Sequence, residues 1–216
     1  LVGSEMCIRD RYIRLQQAEM PMVFYDRIPY GMNVSQVIVD DYIKAFFLVE
    51  HLIREGYRHI VHLQGPDDVY NSVERARGYK DALAKFNIPF NKDRMLKAGL
   101  TFKDGANAAD MLIEKGISFD AIFAFTDTLA IGAMNRLRDL GKKIPEEIAI
   151  ASFSGTVLST IVYPQLTTVE PPLQQMGKVV AELIIEKIKE PLSPNRSIVL
   201  LSLIHISEPT RRSYIS

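Results

Sequence analysis

Apolar residues along this chain occur in two patterns that alternate from one end to the other. Five consecutive apolar residues at 121–125 form a run of the length that a buried strand needs. Comparable short runs end at Tyr25, Val39, Leu63, Ala98, Phe153 and Leu200. Between them, apolar residues recur every three or four positions, at 41–55, 73–86, 104–114, 128–140 and 173–189. This alternation predicts strands that are buried on both faces of a parallel sheet, and helices that cover the sheet.

The predicted parallel sheet also indicates where a ligand binds. In such sheets, ligands bind beyond the carboxyl ends of the strands. The segments that follow predicted strands, and therefore meet at that edge, are 26–27, 67–75, 126–127 and 152–155. We expect the functional residues to lie in these four segments.

The composition narrows the classes of protein to which the chain can belong. It has 216 residues, of which 26 are basic and 26 acidic, so its formal net charge is zero. A nucleic-acid-binding domain usually carries a basic excess, so we expect no DNA binding by this chain alone. Cys7 is the single cysteine, which excludes a disulfide framework. There is no run of about 18 apolar residues, so we predict no membrane span.

The two ends of the chain have sequences that we expect to be foreign to the gene. One DNA sequence that encodes residues 6–11 has a reverse complement that encodes residues 201–206 in another reading frame. Complementary ends of this kind are typical of a translated sequencing adapter. We therefore predict that residues 1–11 and 201–216 are artefactual tails, comparable to a fusion scar, and that they pack poorly.

Several motifs within residues 12–200 resemble the effector-binding core of LacI/GalR-type bacterial transcription repressors. They are G-Y-R-H-I at 56–60, R-A-R-G-Y at 75–79, I-P-E-E-I-A-I-A-S-F-S at 144–154 and P-Q-L-T-T-V-E-P-P at 164–172. The resemblance implies an α/β fold of the periplasmic-binding-protein-like type I class, with two doubly wound parallel-sheet lobes. It also implies that the N-terminal lobe is incomplete in this chain.

The same resemblance implies how the chain divides between the lobes. Residues 12–40 are expected to be a remnant of the N-terminal lobe, and residues 41–166 to form a C-terminal lobe. Residues 167–200 are expected to return to the first lobe and supply its final strand. The chain would then cross between the lobes near Asp40 and again near Thr167.

Arg75 is the strongest single candidate for ligand binding. It follows a strand-end loop at the start of a predicted helix, and its guanidinium suits vicinal hydroxyls or a carboxylate. A surface arginine paired with Glu74 or Asp81 is an equally good interpretation of the residues alone. The resemblance favours Arg75 as an effector contact, since it stands three residues before the motif glycine Gly78. Asn71 occupies another position that faces the ligand in similar proteins.

A second group of candidates follows the apolar run at 121–125. Phe125 could stack on a sugar face, although core packing is the commoner fate of such a residue. Asp127 matches a family motif, and we expect it to cap the helix that follows. The ligand-facing position is then the preceding one, where Thr126 replaces the asparagine of the family.

The remaining candidates are Ser154 and Asp26. Many relatives have an aspartate that accepts hydrogen bonds from ligand hydroxyls at the position of Ser154, and Ser152 replaces a usual glycine. The loss of that charge suggests a less hydroxyl-rich or an acidic effector. Asp26 closes the first predicted strand and could contribute a carboxylate from the other lobe, or could equally be a turn residue paired with Arg27.

Nothing in the sequence favours catalysis, a cofactor or a metal. The chain has no nucleophile elbow, no Walker loop and no zinc-protease motif. His59 and His62 lie three residues apart on a predicted strand, so they face opposite sides of it, and His51 lies on a helix. We expect no metal site and no enzyme activity.

The resemblance implies a regulatory function. We expect the ligand-sensing and dimerisation core of a cytoplasmic LacI/GalR-type regulator that binds a small sugar or sugar acid. A homodimer would bind operator DNA only through a helix-turn-helix domain absent from this chain. The alternatives are a periplasmic sugar-binding protein of an ABC transporter and a metabolic enzyme on a doubly wound sheet.

Overall fold

The fold was analysed in a computed structural model that describes residues 4–28 and 32–207. The helices are α1 Ser4–Gln17, α2 Asp41–Arg54, α3 Tyr70–Lys85, α4 Phe102–Glu114, α5 Asp127–Asp139, α6 Val157–Ile161 and α7 Leu173–Lys189. The strands are β1 Val23–Tyr25, β2 Ser35–Val39, β3 Ile60–Gln64, β4 Met95–Lys97, β5 Ala121–Ala124, β6 Ala149–Phe153, β7 Thr167–Glu170, β8 Ser197–Leu200 and β9 Leu203–His205. Helices and strands alternate as the apolar pattern predicts.

Most of the chain forms a lobe around a six-stranded sheet. The strand order is β4-β3-β5-β6-β7-β9, and all neighbours are parallel except β9, which runs antiparallel to β7. One face is covered by α2 and α3 and the other by α4 and α5, and each face has its own buried apolar core. The strands are buried on both faces, as their continuous apolar runs predict.

A smaller lobe contains the parallel sheet β1-β2-β8. Helix α7 covers this sheet with Met176 and Leu183, which pack against Val37, Val39 and Leu200. The two lobes together confirm the predicted fold class, an α/β architecture with parallel sheets. None of the helices in the described part of the chain is long and apolar enough to cross a membrane.

The second crossing between the lobes lies later than expected. Strand β7 pairs with β6 in the large sheet, with Ala151 opposite Thr167, so residues 167–170 belong to the large lobe. The prediction that the large lobe ends at residue 166 is therefore wrong by four residues. Pro171 and Pro172 follow β7 and cannot donate to a ladder, which explains why the strand ends there.

The chain crosses between the lobes a third time, and re-enters the large lobe through a segment that we expected to pack poorly. Strand β9 pairs with β7, and the buried Ser202 donates its N–H to the carboxylate of Asp40 at 2.9 Å. Pairing at a sheet edge uses backbone groups, so it requires little of the side chains. Leu201 and Leu203 are exposed, whereas Ile204 packs against the core of the large lobe, so this part of the tail packs better than expected. The adapter origin of both tails stays a prediction, and residues 1–3 and 208–216 lie outside the described residues.

Gly78 has a packing role between the two helices on one face of the large sheet. A Cβ atom at this position would lie 2.5 Å from the carbonyl oxygen of Tyr42 and 2.9 Å from the amide nitrogen of Phe46. These contacts are too short for any side chain, so α2 and α3 approach this closely because residue 78 is a glycine. That approach brings the start of α2 beside Arg75.

Candidate functional site

Arg75 is buried at the carboxyl ends of β5 and β6 in the large sheet, with 3% of its surface exposed. Its Nε atom donates to Asp41 Oδ1 at 2.7 Å, and its Nη1 atom donates to the carbonyl oxygen of Phe125 at 2.8 Å. The alternative of a surface arginine paired with Glu74 or Asp81 is therefore wrong. Glu74 instead pairs with Arg77, which is half-exposed.

The guanidinium of Arg75 lies over two aromatic rings. Its central carbon lies 3.9 Å from the ring centroid of Phe153 and 4.7 Å from that of Phe125. Both rings come from the carboxyl ends of neighbouring strands, β5 and β6, and contacts of this kind stabilise a desolvated cation. Phe125 thus lies at the predicted place, but its ring contacts Arg75. Gly65 also approaches this ring, since a Cβ there would lie 2.5 Å from it.

Asn71 stands one helical turn before Arg75, so both side chains lie on the same face of α3. Its Nδ2 atom donates to Asp26 Oδ1 at 3.2 Å, which joins the large lobe to the small one. Asp26 has a left-handed backbone with φ of 57°, a conformation that aspartate tolerates better than most residues. The structure thus brings together Asp26 and Asn71, the two candidates expected on opposite lobes.

The other side of the Asn71 amide has no partner in the described part of the chain. Its Oδ1 atom is buried, and no group within the described ranges donates to it. The hydroxyl of Ser72, the next residue, is also buried and has no hydrogen-bond partner among the described residues. Within the same ranges, no side chain caps the start of α3. A buried polar group without a hydrogen bond costs free energy, so such groups often mark a place where a ligand or water binds.

Asp127 binds protein groups on all sides. Its Oδ1 atom accepts from the hydroxyls of Ser152 and Thr168, each at 2.7 Å. Its Oδ2 atom accepts from the N–H of Thr156 at 2.7 Å and from the hydroxyl of the same residue at 2.8 Å. A carboxylate accepts about four hydrogen bonds, so no capacity is left for a ligand. Asp127 therefore holds the ends of β6 and β7 beside the start of α5.

The helix cap at this place is Thr126, and the prediction that Asp127 caps α5 is wrong. The Thr126 hydroxyl accepts from the N–H of Leu129 at 3.3 Å. The helix begins one residue earlier than expected, and this moves Asp127 into its first turn, where its charge suits the helix dipole. Thr126 remains half-buried at the strand edge.

Ser154 follows β6. The pairing of β5 with β6, extended by two residues, places Ser154 opposite Thr126. Its backbone N–H donates to the carbonyl oxygen of Val169 at 2.9 Å, and its φ of 127° lies in a region that L-residues rarely adopt. The side chain is half-buried at the same edge as Arg75. Ser152, the other departure from the family pattern, has its hydroxyl bound to Asp127.

Asp41 is the residue that the sequence interpretation missed. It is the first residue of α2, directly after the crossing from the small lobe, and only 3% of its surface is exposed. Burial raises the pKa of the Asp41 carboxyl above its usual value, although the adjacent Arg75 guanidinium lowers it. The available signal was a pair of aspartates, at 40 and 41, immediately after an apolar strand.

His62 belongs to the core of the large lobe. Its ring stacks on Phe123 at 4.5 Å, and Nδ1 lies 2.9 Å from the carbonyl oxygen of the same residue. Burial lowers the pKa of His62 to about 4, so the ring is neutral near pH 7. The described residues contain no group of three or more histidine, cysteine, aspartate or glutamate side chains placed to hold a metal ion.

Sequence comparison places these features in a known family. Residues 49–206 match the family described as periplasmic binding protein-like domain. The chain is 29% identical over 177 residues to the HTH-type transcriptional repressor PurR of Aliivibrio fischeri, covering 81% of this chain and 52% of that protein. It is 33% identical over 187 residues to the HTH-type transcriptional regulator GalR of Salmonella typhimurium, covering 86% and 54%. The chain thus spans about half the length of the curated relatives it matches.

Solved structures agree with this placement. The cellobiose complex of the transcriptional regulator CelR superposes with a TM-score of 0.85 at 27% identity, over 90% of this chain and 60% of that one. The transcription regulator CcpA of Lactococcus lactis gives the same TM-score at 25% identity, over 92% and 72%. These relatives are transcriptional regulators, not enzymes. The chain belongs to the periplasmic binding protein-like family, in the form found as the effector-binding core of LacI-family transcriptional regulators.

Proposed function

We propose that this chain senses a small sugar or sugar acid, which binds between the two lobes at the face formed by Asp26, Asn71, Arg75, Thr126 and Ser154. The observation that carries the proposal is the Asn71 amide. It joins the lobes through Asp26 and retains a buried oxygen to which none of the described residues donates. A sugar hydroxyl is a donor of the right kind and size for that oxygen.

The proposed mechanism is closure of the lobes on the effector. Asn71 and Arg75 belong to the large lobe and Asp26 to the small one, so a ligand that bonds to both lobes stabilises their closed arrangement. An effector with higher affinity for one arrangement shifts the population toward it. Because Asp40 and Ser202 both lie at crossings and bond to each other, a change of lobe arrangement would act on this link directly.

The proposal for the whole protein is an operator-binding regulator of the cytoplasm. Its relatives carry the designation HTH-type, whereas this chain has zero formal net charge. DNA binding would therefore reside in a helix-turn-helix domain outside this chain, and a dimer would bind two half-sites of an operator. The relatives named above are repressors and regulators, which makes the ABC-transporter alternative the weaker one.

The homodimer in this proposal would form through an exposed apolar surface on the large lobe. Val157, Ile161 and Tyr163 are 75%, 68% and 86% exposed, and they lie within seven residues of one another. Clustered exposed apolar residues are typical of protein interfaces. Sedimentation of Ile161→Lys should show monomers where the unmodified chain shows dimers. Leu192→Lys, at an exposed site on the other lobe, is the matched control.

The effector site is tested by calorimetric titration of the chain with ribose, cellobiose, galactose and the corresponding sugar acids. Ribose and cellobiose are chosen because relatives include a ribose operon repressor and the CelR–cellobiose complex. We expect at least one to bind, and Asn71→Ala to weaken that binding by tenfold or more. Asn107→Ala changes the same residue type on an exposed face of α4 and should bind like the unmodified chain. Equal affinities for both variants would contradict the proposed site.

The regulatory function is tested on the protein encoded by the intact gene. In a gel-shift titration, that protein should retain DNA from upstream of its own gene, and the effector found by calorimetry should change the retention. The 216-residue chain alone should not bind specifically, since it has no basic excess. Failure of the intact protein to bind, together with sugar binding, would favour the transporter alternative.

A further inference from the structure

We infer that the paired helices α2 and α3 present a docking surface for an acidic, amphipathic helix of a partner protein. This α2–α3 surface lies on their outer side and comprises Tyr42, Ile43, Phe47, Arg54, Arg77 and Lys85. The two helices cover one face of the large sheet, whereas α4 and α5 cover the other, and α6 of the proposed dimer surface contacts α5. The α2–α3 surface is therefore separate from the dimer surface and from the effector site, so the inference goes beyond the proposed function.

Helical spacing aligns cations of α3 with aromatic rings of α2. Arg77 and Lys85 lie about two turns apart on α3, and Tyr42 and Phe46 lie about one turn apart on α2. The close approach of the helices at Gly78 brings the two rows into contact. The central carbon of the Arg77 guanidinium lies 4.2 Å from the centroid of the Tyr42 ring, and Lys85 Nζ lies 5.1 Å from that of Phe46.

The contacts between cations and rings continue along the surface. The ring of Phe46 meets that of Phe47 edge-on, with centroids 5.8 Å apart. Lys85 Nζ also lies 5.6 Å from the ring centroid of Phe86, and the guanidinium of Arg54 lies 5.5 Å from the same centroid. Aromatic residues and arginine are the types most enriched at protein interfaces, so the composition is that of a binding surface.

The apolar part of the surface is open to a partner. Ile43 and Phe47 lie one turn apart on α2 and are 47% and 48% exposed. Long cationic side chains often cover apolar surface on their own chain. Here they lie over Phe46 and Phe86, and they leave Ile43 and Phe47 half-exposed. An amphipathic helix presents apolar residues at the same spacing, so its apolar face can pack on this pair.

The charges of the surface favour an acidic partner. Roughly half or more of each cationic side chain is exposed, whereas the carboxylates of Glu50 and Glu74, which pair with them, are at most 10% exposed. Glu50 accepts from both Lys85 and Arg54, so two cations share one anion, and these hydrogen bonds lower the pKa of Glu50. An approaching partner meets the cations before their buried counter-ions, and aspartate or glutamate side chains complement them.

A protein segment suits this surface better than a nucleic acid does. Binding to a phosphate backbone requires a cluster of cations free to contact phosphates. The three cations of the α2–α3 surface already pair with carboxylates, and the exposed Asp81 accepts from the hydroxyl of Tyr42 beside them. The formal net charge of the chain is zero. Apolar contacts with Ile43 and Phe47 are available to a protein helix in addition to the charges.

The surface is tested by selecting partners for the 216-residue chain from a displayed library of helical peptides randomised on one face. We expect the selected peptides to carry aspartate or glutamate beside large apolar residues spaced three or four positions apart. Fluorescence anisotropy then measures the dissociation constant of one selected peptide. In Phe47→Ala and in Arg77→Gln, this constant should rise by about tenfold or more, as expected for central interface residues.

Phe102→Ala and Arg136→Gln are the matched controls. Phe102 is 47% exposed, close to Phe47, and Arg136 forms a half-exposed ion pair with Asp110. Both lie on α4 and α5, on the opposite face of the sheet, so their variants should bind the peptide like the unmodified chain. Urea unfolding of the four variants shows that each remains folded.

Three outcomes would overturn the inference. The first is a selection that yields no peptide or yields basic ones, and the second is equal binding of the peptide by all four variants. The third is binding of a duplex DNA oligonucleotide that is weakened in Arg77→Gln and unchanged in Phe47→Ala, which would assign the surface to nucleic acid.

Discussion

Asn71 on α3 donates a hydrogen bond across the two lobes to the carboxylate of Asp26, at 3.2 Å. The two residues are 45 positions apart in the chain, and the bond places a charged acceptor of one lobe beside a buried amide of the other. Because no donor for the amide oxygen exists within residues 4–28 and 32–207, the pair forms one half of a hydrogen-bonded network there. A ligand that supplies the other half would bind both lobes together.

The two residues should therefore act as a unit in effector binding. We expect Asp26→Ala and Asn71→Ala each to weaken binding of the sugar. The double variant should lose less binding free energy than the sum of the two single losses. The difference should be about 1 kcal/mol, as expected for residues that share a hydrogen bond. Calorimetry on the four proteins measures it. Strict additivity would show that the Asp26–Asn71 bond is absent from the bound state.

Variants of the buried pair Arg75 and Asp41 should show that its effect on the free energy of unfolding differs from its effect on sugar binding. Removing one partner of a buried ion pair costs about 3–5 kcal/mol, while replacing both with apolar residues is often neutral. We expect Arg75→Met to be strongly destabilised in urea and the Asp41→Leu/Arg75→Met double variant to recover most of the loss. The double variant should still fail to bind sugar, because no donor remains at this position.

Arg77 provides the control for this comparison. It lies two residues from Arg75 on the same helix, and its ion pair with Glu74 is half-exposed on the arginine side. Exposed pairs contribute about 0–1 kcal/mol, so Arg77→Met should unfold close to the unmodified chain. If the Asp41→Leu/Arg75→Met double variant binds sugar normally, Arg75 has only a structural role.

Replacing the Asp127 carboxylate with an amide of the same size should destabilise the folded chain. Asp127→Asn replaces one acceptor oxygen with an NH2 group that faces the donors now bound there, from Ser152, Thr156 and Thr168. We expect a loss of about 2–4 kcal/mol in the free energy of unfolding, since a buried charged acceptor is removed and a donor is left unsatisfied. Asp110→Asn, in a half-exposed pair with Arg136, should cost far less. Similar urea midpoints for both variants would contradict the assignment.

His62 should make the chain less stable in mild acid. Its pKa of about 4 in the folded state lies below the usual value of 6.5, so the unfolded chain takes up a proton first as the pH falls. The stability that neutral His62 contributes is complete above pH 6.5 and is lost between pH 6.5 and 4. At pH 5 the loss should be about 2 kcal/mol relative to pH 7.

Urea unfolding of variants at pH 7 and pH 5 tests this effect. His62→Phe removes the titrating group and should reduce the difference in unfolding free energy between the two pH values by that amount. His59→Phe, at an exposed position, should retain the difference of the unmodified chain. An unchanged difference in His62→Phe would mean that other groups produce the acid sensitivity.

The sequence determined the elements and much of the location of the candidate site. Apolar runs and helical periods are local properties, and they marked β5, β6 and β8 and the helices α2 to α5 to within a few residues. Asn71 and Arg75 could be predicted to share a face because one helical turn separates them. The rule that ligands bind at carboxyl ends of parallel strands selected their segment without knowledge of the strand order.

The tertiary structure alone decided the partners of these residues. Asp41 meets Arg75 across 34 positions, and Asp127 meets Thr168 across 41, distances over which no periodicity in the sequence carries information. Strand β7 joined the large sheet because its backbone matched the free edge of β6, and β9 then paired with β7. Backbone groups are the same in every residue, so the choice of pairing depends on which edges the folded lobes leave available.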